Sequence, residues 1–145
     1  MTTITIQSQE VQAGLAYLQR QMENLQPAFE QIGEALKSNI AMCFREEKSP
    51  DGINWAALDP KTIRQRRNGS NKILQDRTRL LRSIAAPGAV IAINSFAEVT
   101  TDVEYAVFHQ FGTSKMVARP FFPSEILPQN WETEILDIIN NHLQN

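Results

Sequence analysis

The chain has 145 residues, enough for one domain with a real core and too few for a second. Hydrophobic residues make up 42% and charged residues 21%, an ordinary globular balance, and a formal net charge of -2 excludes a global nucleic-acid or membrane signature. The lone Cys43 excludes an intrachain disulfide; with no apolar run near the ~20 residues of a membrane span and no signal-peptide pattern, an intracellular protein without a membrane partner is expected.

Thr3-Ile4-Thr5-Ile6-Gln7 alternates as a short edge strand. From Val11 the period changes. Val11, Leu15, Leu18, Met22, Leu25, Phe29, Ile32, Leu36, Ile40 and Cys43 recur at steps of three and four, which predicts one apolar stripe along a long helical stretch. Ser8 is the candidate N-cap and Glu10 lies in the first turn, where the helix dipole favours an acid. Pro27 kinks this helix or starts a second one near residues 24–26. The stripe is expected to pack on the chain's own sheet, with Cys43 as a small buried hydrophobe; its heptad-like spacing also suits a coiled coil.

Residues 45–59 read as a loop, turning at Ser49-Pro50-Asp51-Gly52 and anchored by Trp55 and Leu58. Asp59-Pro60 pairs an N-cap with proline at N1 and opens a short helix through Arg67. Another short helix fits residues 76–85, with Leu80, Leu81 and Ile84 apolar. Pro87-Gly88 stops it, and residues 89–93 and 96–101 read as a β-hairpin about Asn94-Ser95. Residues 128–143 carry Trp131, Ile135, Ile138, Ile139 and Leu143 at helical spacing. The order β-α-α-α-α-β-β-corner-α gives an α+β class: a small antiparallel sheet packed against long N-terminal helices and a C-terminal helix.

Between the hairpin and the last helix lies the densest chemistry in the chain. Tyr105, Phe108, Phe111, Phe121 and Phe122, together with His109 and Arg119, fall within residues 104–122. Such crowding marks either a fold-defining corner or a binding surface. Charge is also uneven. Lys61, Arg64, Arg66, Arg67, Lys72, Arg77, Arg79 and Arg82 face a single acid, Asp76, within residues 61–82, whereas Glu125, Glu132, Glu134 and Asp137 follow Arg119 without any Lys or Arg. The basic segment suits phosphate or an acidic protein face, or is a set of solvated helix faces. A basic middle and an acidic end also suit head-to-tail self-association.

Catalytic machinery is not visible. His109 and His142 are the two histidines, too few for a converging metal set, and His109 between Phe108 and Phe111 reads as a core or interface residue. There is no Gly-rich phosphate loop and no nucleophile elbow, and neither Ser83 nor Ser124 has a base near it in sequence. No enzyme, cofactor or metal is expected.

In order along the chain stand Phe44, Pro50-Asp51-Gly52, Trp55, Leu58, Pro60-Lys61-Thr62-Ile63, Ile73-Leu74, Leu80-Leu81-Arg82-Ser83-Ile84, Tyr105-Ala106, His109-Gln110-Phe111-Gly112 and Arg119-Pro120-Phe121-Phe122. This series resembles the phage virion morphogenesis family, the tail-completion group of Mu-like and P2-like phages, over nearly the whole chain. One departure is Arg79 after Thr78, where the family has a Thr-Gly turn. The resemblance implies one domain spanning residues 1–145. It implies a structural tail component, made in the host bacterial cytoplasm and completing the head-proximal end of the tail for head–tail joining. Such a protein is expected to be a homo-oligomeric ring, possibly a hexamer, with the tail tube, terminator or head–tail connector as partners. Trp55, Leu58, Tyr105, His109, Gln110, Phe111, Gly112, Arg119, Pro120 and Phe121 are then fold or interface residues. Lys61, Arg64, Arg66, Arg67, Arg77, Arg79 and Arg82 would face passing DNA or the tail tube. The alternative is a nucleic-acid-binding or regulatory module that uses the basic segment.

Overall fold

The computed structural model describes residues 9–66, 69–75 and 78–145. The expected strand at Thr3–Gln7, the Ser8 cap, and Arg67, Asp76 and Arg77 lie outside the described residues. Helix α1 (Gln9–Glu23) ends just before α2 (Gln26–Glu46), so Pro27 starts a second helix instead of kinking one. It occupies the first turn of α2, where the N–H that proline lacks would have no intrahelical partner. Asn94 of the hairpin turn serves both helix ends. Its Oδ1 accepts from Gln26 N at 3.0 Å, and its Nδ2 donates to the Glu23 carbonyl at 3.3 Å.

Helix α2 is the axis of the molecule, 21 residues and so about 30 Å long. Ala28, Ile32, Ile40, Cys43 and Phe44 form its buried stripe. It packs against α4 (Arg79–Ala85), against the hairpin, and against α6 (Gln129–Gln144). Strands β1 (Val90–Ala92) and β2 (Ala97–Val99) pair antiparallel, Val90 opposite Val99 and Ala92 opposite Ala97. The Ile93 N–H donates to the Phe96 carbonyl, which leaves Asn94-Ser95 as the expected two-residue turn. A two-stranded sheet is marginal alone. Here it leans on α2 at Gly33, where a Cβ would overlap Val90 Cγ1.

Helix α3 (Pro60–Gln65) begins as expected: the Asp59 side chain accepts from Lys61 N at 2.7 Å. At the family's Thr-Gly position, the left-handed residue is Thr78 (φ 55°), and Arg79 is already helical. A bulky side chain is tolerated there because the positive φ falls one residue earlier. One added element is α5 (Ala106–Phe111), a helix inside the region expected to be a bare corner.

One expectation is overturned. The stripe from Val11 to Cys43 does not form a continuous buried seam. Its α2 half makes the core, but α1 buries no residue, and Val11, Leu15, Leu18 and Met22 are exposed. Helix α1 is tied to α6 at its end, where Gln21 Nε2 donates to the His142 carbonyl at 2.9 Å and His142 Nε2 lies 3.0 Å from the Gln21 carbonyl. Helical periodicity reports a face that avoids polar residues; it does not say whether anything covers that face.

Candidate interaction surface

The aromatic corner is built around Phe44, which is fully buried. Trp55 meets it edge-on at 5.5 Å, Phe121 tilts against it at 5.5 Å, and Phe122 follows Phe121 at 4.7 Å. The segment that presents Phe121 has no sheet partner, so its backbone is satisfied from two other sides. From α5, the Gln110 Oε1 accepts from both Phe121 N and Phe122 N at 3.0 Å, while its Nε2 donates to the Phe122 carbonyl at 2.9 Å. The His109 carbonyl accepts from Arg119 N at 2.7 Å. From the loop before α3, Trp55 Nε1 donates to the Pro120 carbonyl at 2.8 Å. Arg119, 8% exposed, returns the link with Nε to the Ala56 carbonyl at 2.8 Å and Nη2 to the Ala57 carbonyl at 3.1 Å. Leu58 packs half-buried at the edge of this core.

Gly112 is required by space as well as by angle. At φ 73° it lies in the left-handed region, and a Cβ would fall 2.8 Å from both Ala118 N and Met116 O. That close approach sends the chain back through the Thr113–Met116 bridge to Arg119.

The other side of α5 faces outward. Val107, Phe108 and Phe111 are exposed, Phe111 by 76%. With Ile53, exposed by 69%, Val107 and Phe111 line a groove of about 920 Å³ floored by Trp55, Phe121 and Phe122. Sequence reading grouped Phe111 with Phe121, yet one is the most exposed aromatic of the corner and the other is buried at 0%. The helical spacing 107–111, opposite 106–110, was the available signal. Ile53, which read as mere loop, is on the groove wall for lack of any local pattern.

Tyr105 approaches His109 edge-on at 5.6 Å and carries the Arg79 guanidinium over its ring, also at 5.6 Å. Burial lowers the His109 pKa, and Arg119 and Arg66 lower it further, so the imidazole is neutral at pH 7. The basic segment is not one uniform face. Lys61 and Arg64 are exposed on α3, and Arg82 is exposed on α4. Arg79 is bonded to both oxygens of Glu104 at 3.2 and 3.3 Å. Arg66 is half-buried and its Nη1 donates to the Lys72 carbonyl. Among the described residues no group of three or more His, Cys, Asp or Glu is placed to hold a metal ion, and no helix is long and apolar enough to cross a membrane.

Residues 6–144 match the model of the phage virion morphogenesis family. A curated relative, the Mu-like prophage FluMu G protein 1 of Haemophilus influenzae, is 32% identical over 114 residues, covering 77% of this chain and 75% of that protein. No solved structure matches.

Proposed function

Because the chain belongs to the phage virion morphogenesis family, we propose that it is a structural, non-catalytic component of a phage or prophage tail. It completes the head-proximal end of the tail for head–tail joining, as a ring of identical subunits. The match across residues 6–144 is the observation behind this reading, and the similarity to a Mu-like prophage protein supports its coarser part, a role in phage morphogenesis.

Two uncovered apolar surfaces support assembly: the α1 stripe and the α5 groove. Contiguous exposed apolar surface on a protein of this size marks interaction sites. The partners in this reading are further copies of the chain and the tail tube, terminator or head–tail connector. Assembly takes place in the host cytoplasm and the product stays in the virion tail. Exposed Lys61 and Arg64 are suited to weak, sequence-independent attraction for passing DNA, since tight phosphate binding would oppose passage.

The test is electron microscopy of lysates from a phage or prophage deleted for this gene. Separate heads and tails are expected, with joining restored by the gene in trans. Complete, infectious particles from the deletion would sink the reading.

A further inference from the structure

Two unlike apolar surfaces stand at opposite ends of the α2 axis. Helix α1 stops just before α2 begins, and its Gln21 is bonded to His142 in the last turn of α6. Helix α6 runs back along α2, since Glu134 near its start accepts from Asn39 late in α2. His142 and α1 therefore belong to the end where α2 starts. The α5 groove belongs to the other end. One of its walls is the loop of residues 49–55, which follows the last residue of α2, and its floor residues Trp55 and Phe121 pack on Phe44 in the last turn of α2.

The two surfaces also differ in shape. On α1, Val11, Leu15, Leu18 and Met22 are exposed at the i, i+4, i+7, i+11 spacing of a helix ridge, about 16 Å long. The α5 surface is a concavity of about 920 Å³ whose walls expose Ile53, Val107 and Phe111. Its charged lining residues, Asp51, Glu104 and Glu125, are all acidic. Between Val11 and Met22 the only charge is Arg20, so the ridge brings no carboxylate to that acidic rim. The ridge cannot fill the groove of its own chain. The 15 residues of α1 make about 22 Å, short of the roughly 30 Å of α2 that lies between them.

We propose that α1 of one copy of this chain docks its apolar ridge in the α5 groove of the next copy. Ridge and groove are different surfaces at opposite ends of the molecule, so the contact is heterologous and repeats from copy to copy until a ring closes. It rests on the ring reading above and names the interface of that ring. A whole apolar side chain buries roughly 100 Å². The seven ridge and wall residues, each about half exposed, thus remove on the order of 400 Å² from water, well under the ~1,200 Å² at which stable pairs begin. An isolated pair is weak, and closure, in which every copy gives a ridge and receives one, holds the assembly.

Cross-linking of full-length chains tests the docking. The native Cys43 is buried and protonated, so an introduced surface thiol is the one that reacts with a short bismaleimide. Leu15→Cys mixed with Phe111→Cys should cross-link between copies, and neither should do so alone. In sedimentation, Phe111→Glu should weaken self-association about tenfold or more with an unchanged circular dichroism spectrum, because the side chain is exposed in the single subunit. Val107→Gln is the milder change on the same wall and should act in the same direction. Cross-linked dimers of Leu15→Cys alone would mean that two α1 ridges pair, and would overturn the docking. Wild-type oligomers whose thiol mixture does not cross-link, or that Phe111→Glu leaves intact, overturn it while the ring stands. A wild-type chain that is monomeric at every concentration removes the ring and the docking together.

Discussion

Gln110 makes three hydrogen bonds to the Phe121–Phe122 backbone with one amide. A strand neighbour would satisfy these groups in a sheet; here a side chain replaces the strand, which lets Phe121 enter the core without one. Truncation in Gln110→Ala leaves the buried Phe121 N–H unpaired, and a loss of about 2–4 kcal/mol in unfolding free energy is expected from denaturant titration. Gln110→Glu keeps both acceptor bonds and should cost less. If the two variants are equally stable, the amide is not the clamp. Arg119 works on the same segment from the opposite side through two carbonyls. Its identity was legible in the sequence, but its direction was not, because Ala56 and Ala57 lie 63 and 62 residues earlier and carry no local sign of the link.

Helix α2 and the hairpin show how one residue sets the distance between elements. Gly33 reads in sequence as a weak point of a helix, since glycine costs about 1 kcal/mol relative to alanine in a helix interior. In the fold it is the place where β1 approaches, and the added methyl of Gly33→Ala would overlap Val90 Cγ1. Valine is stiff at χ1, so the sheet must shift. Overpacking of about 1–3 kcal/mol is expected to exceed the gain in propensity, and the variant should melt below the wild type. A higher melting temperature would mean that the hairpin rides loosely on α2. Helix α1 is the contrasting case. Its stripe has the same period as that of α2, yet Leu15 is 58% exposed while Ile40 is 2% exposed.

For the molecule as a whole, one core joins elements from both ends of the sequence: Ile40, Cys43 and Phe44 with Trp55, Leu80, Ile84, Phe121 and Trp131. Cys43 reports on its cooperativity. Burial, with Glu46 adding, pushes the thiol up to about 11, so at pH 8 it is both covered and protonated. Its modification by an aromatic disulfide reagent should be slow in the native protein and should accelerate together with loss of helix in denaturant. Rapid labelling before any loss of helix would show that this end of the core opens locally. The surfaces outside this core are of two chemistries: apolar along α1 and α5, and charged, with basic residues in the middle of the chain and acidic ones near its end.

The sequence by itself determined the α+β class, the break at Pro27, the Asp59-Pro60 helix start, the Asn94-Ser95 turn, the burial of Cys43, and the family. Each rests on a local signal: a cap, a ring-locked φ, a period, or an ordered series of motifs. Only the tertiary structure decided that the α1 stripe is exposed, that Phe111 faces out while Phe121 faces in, and that Asn94 caps two helices. These facts depend on pairings far apart in the chain, and a hydrophobic pattern names a face without naming what meets it.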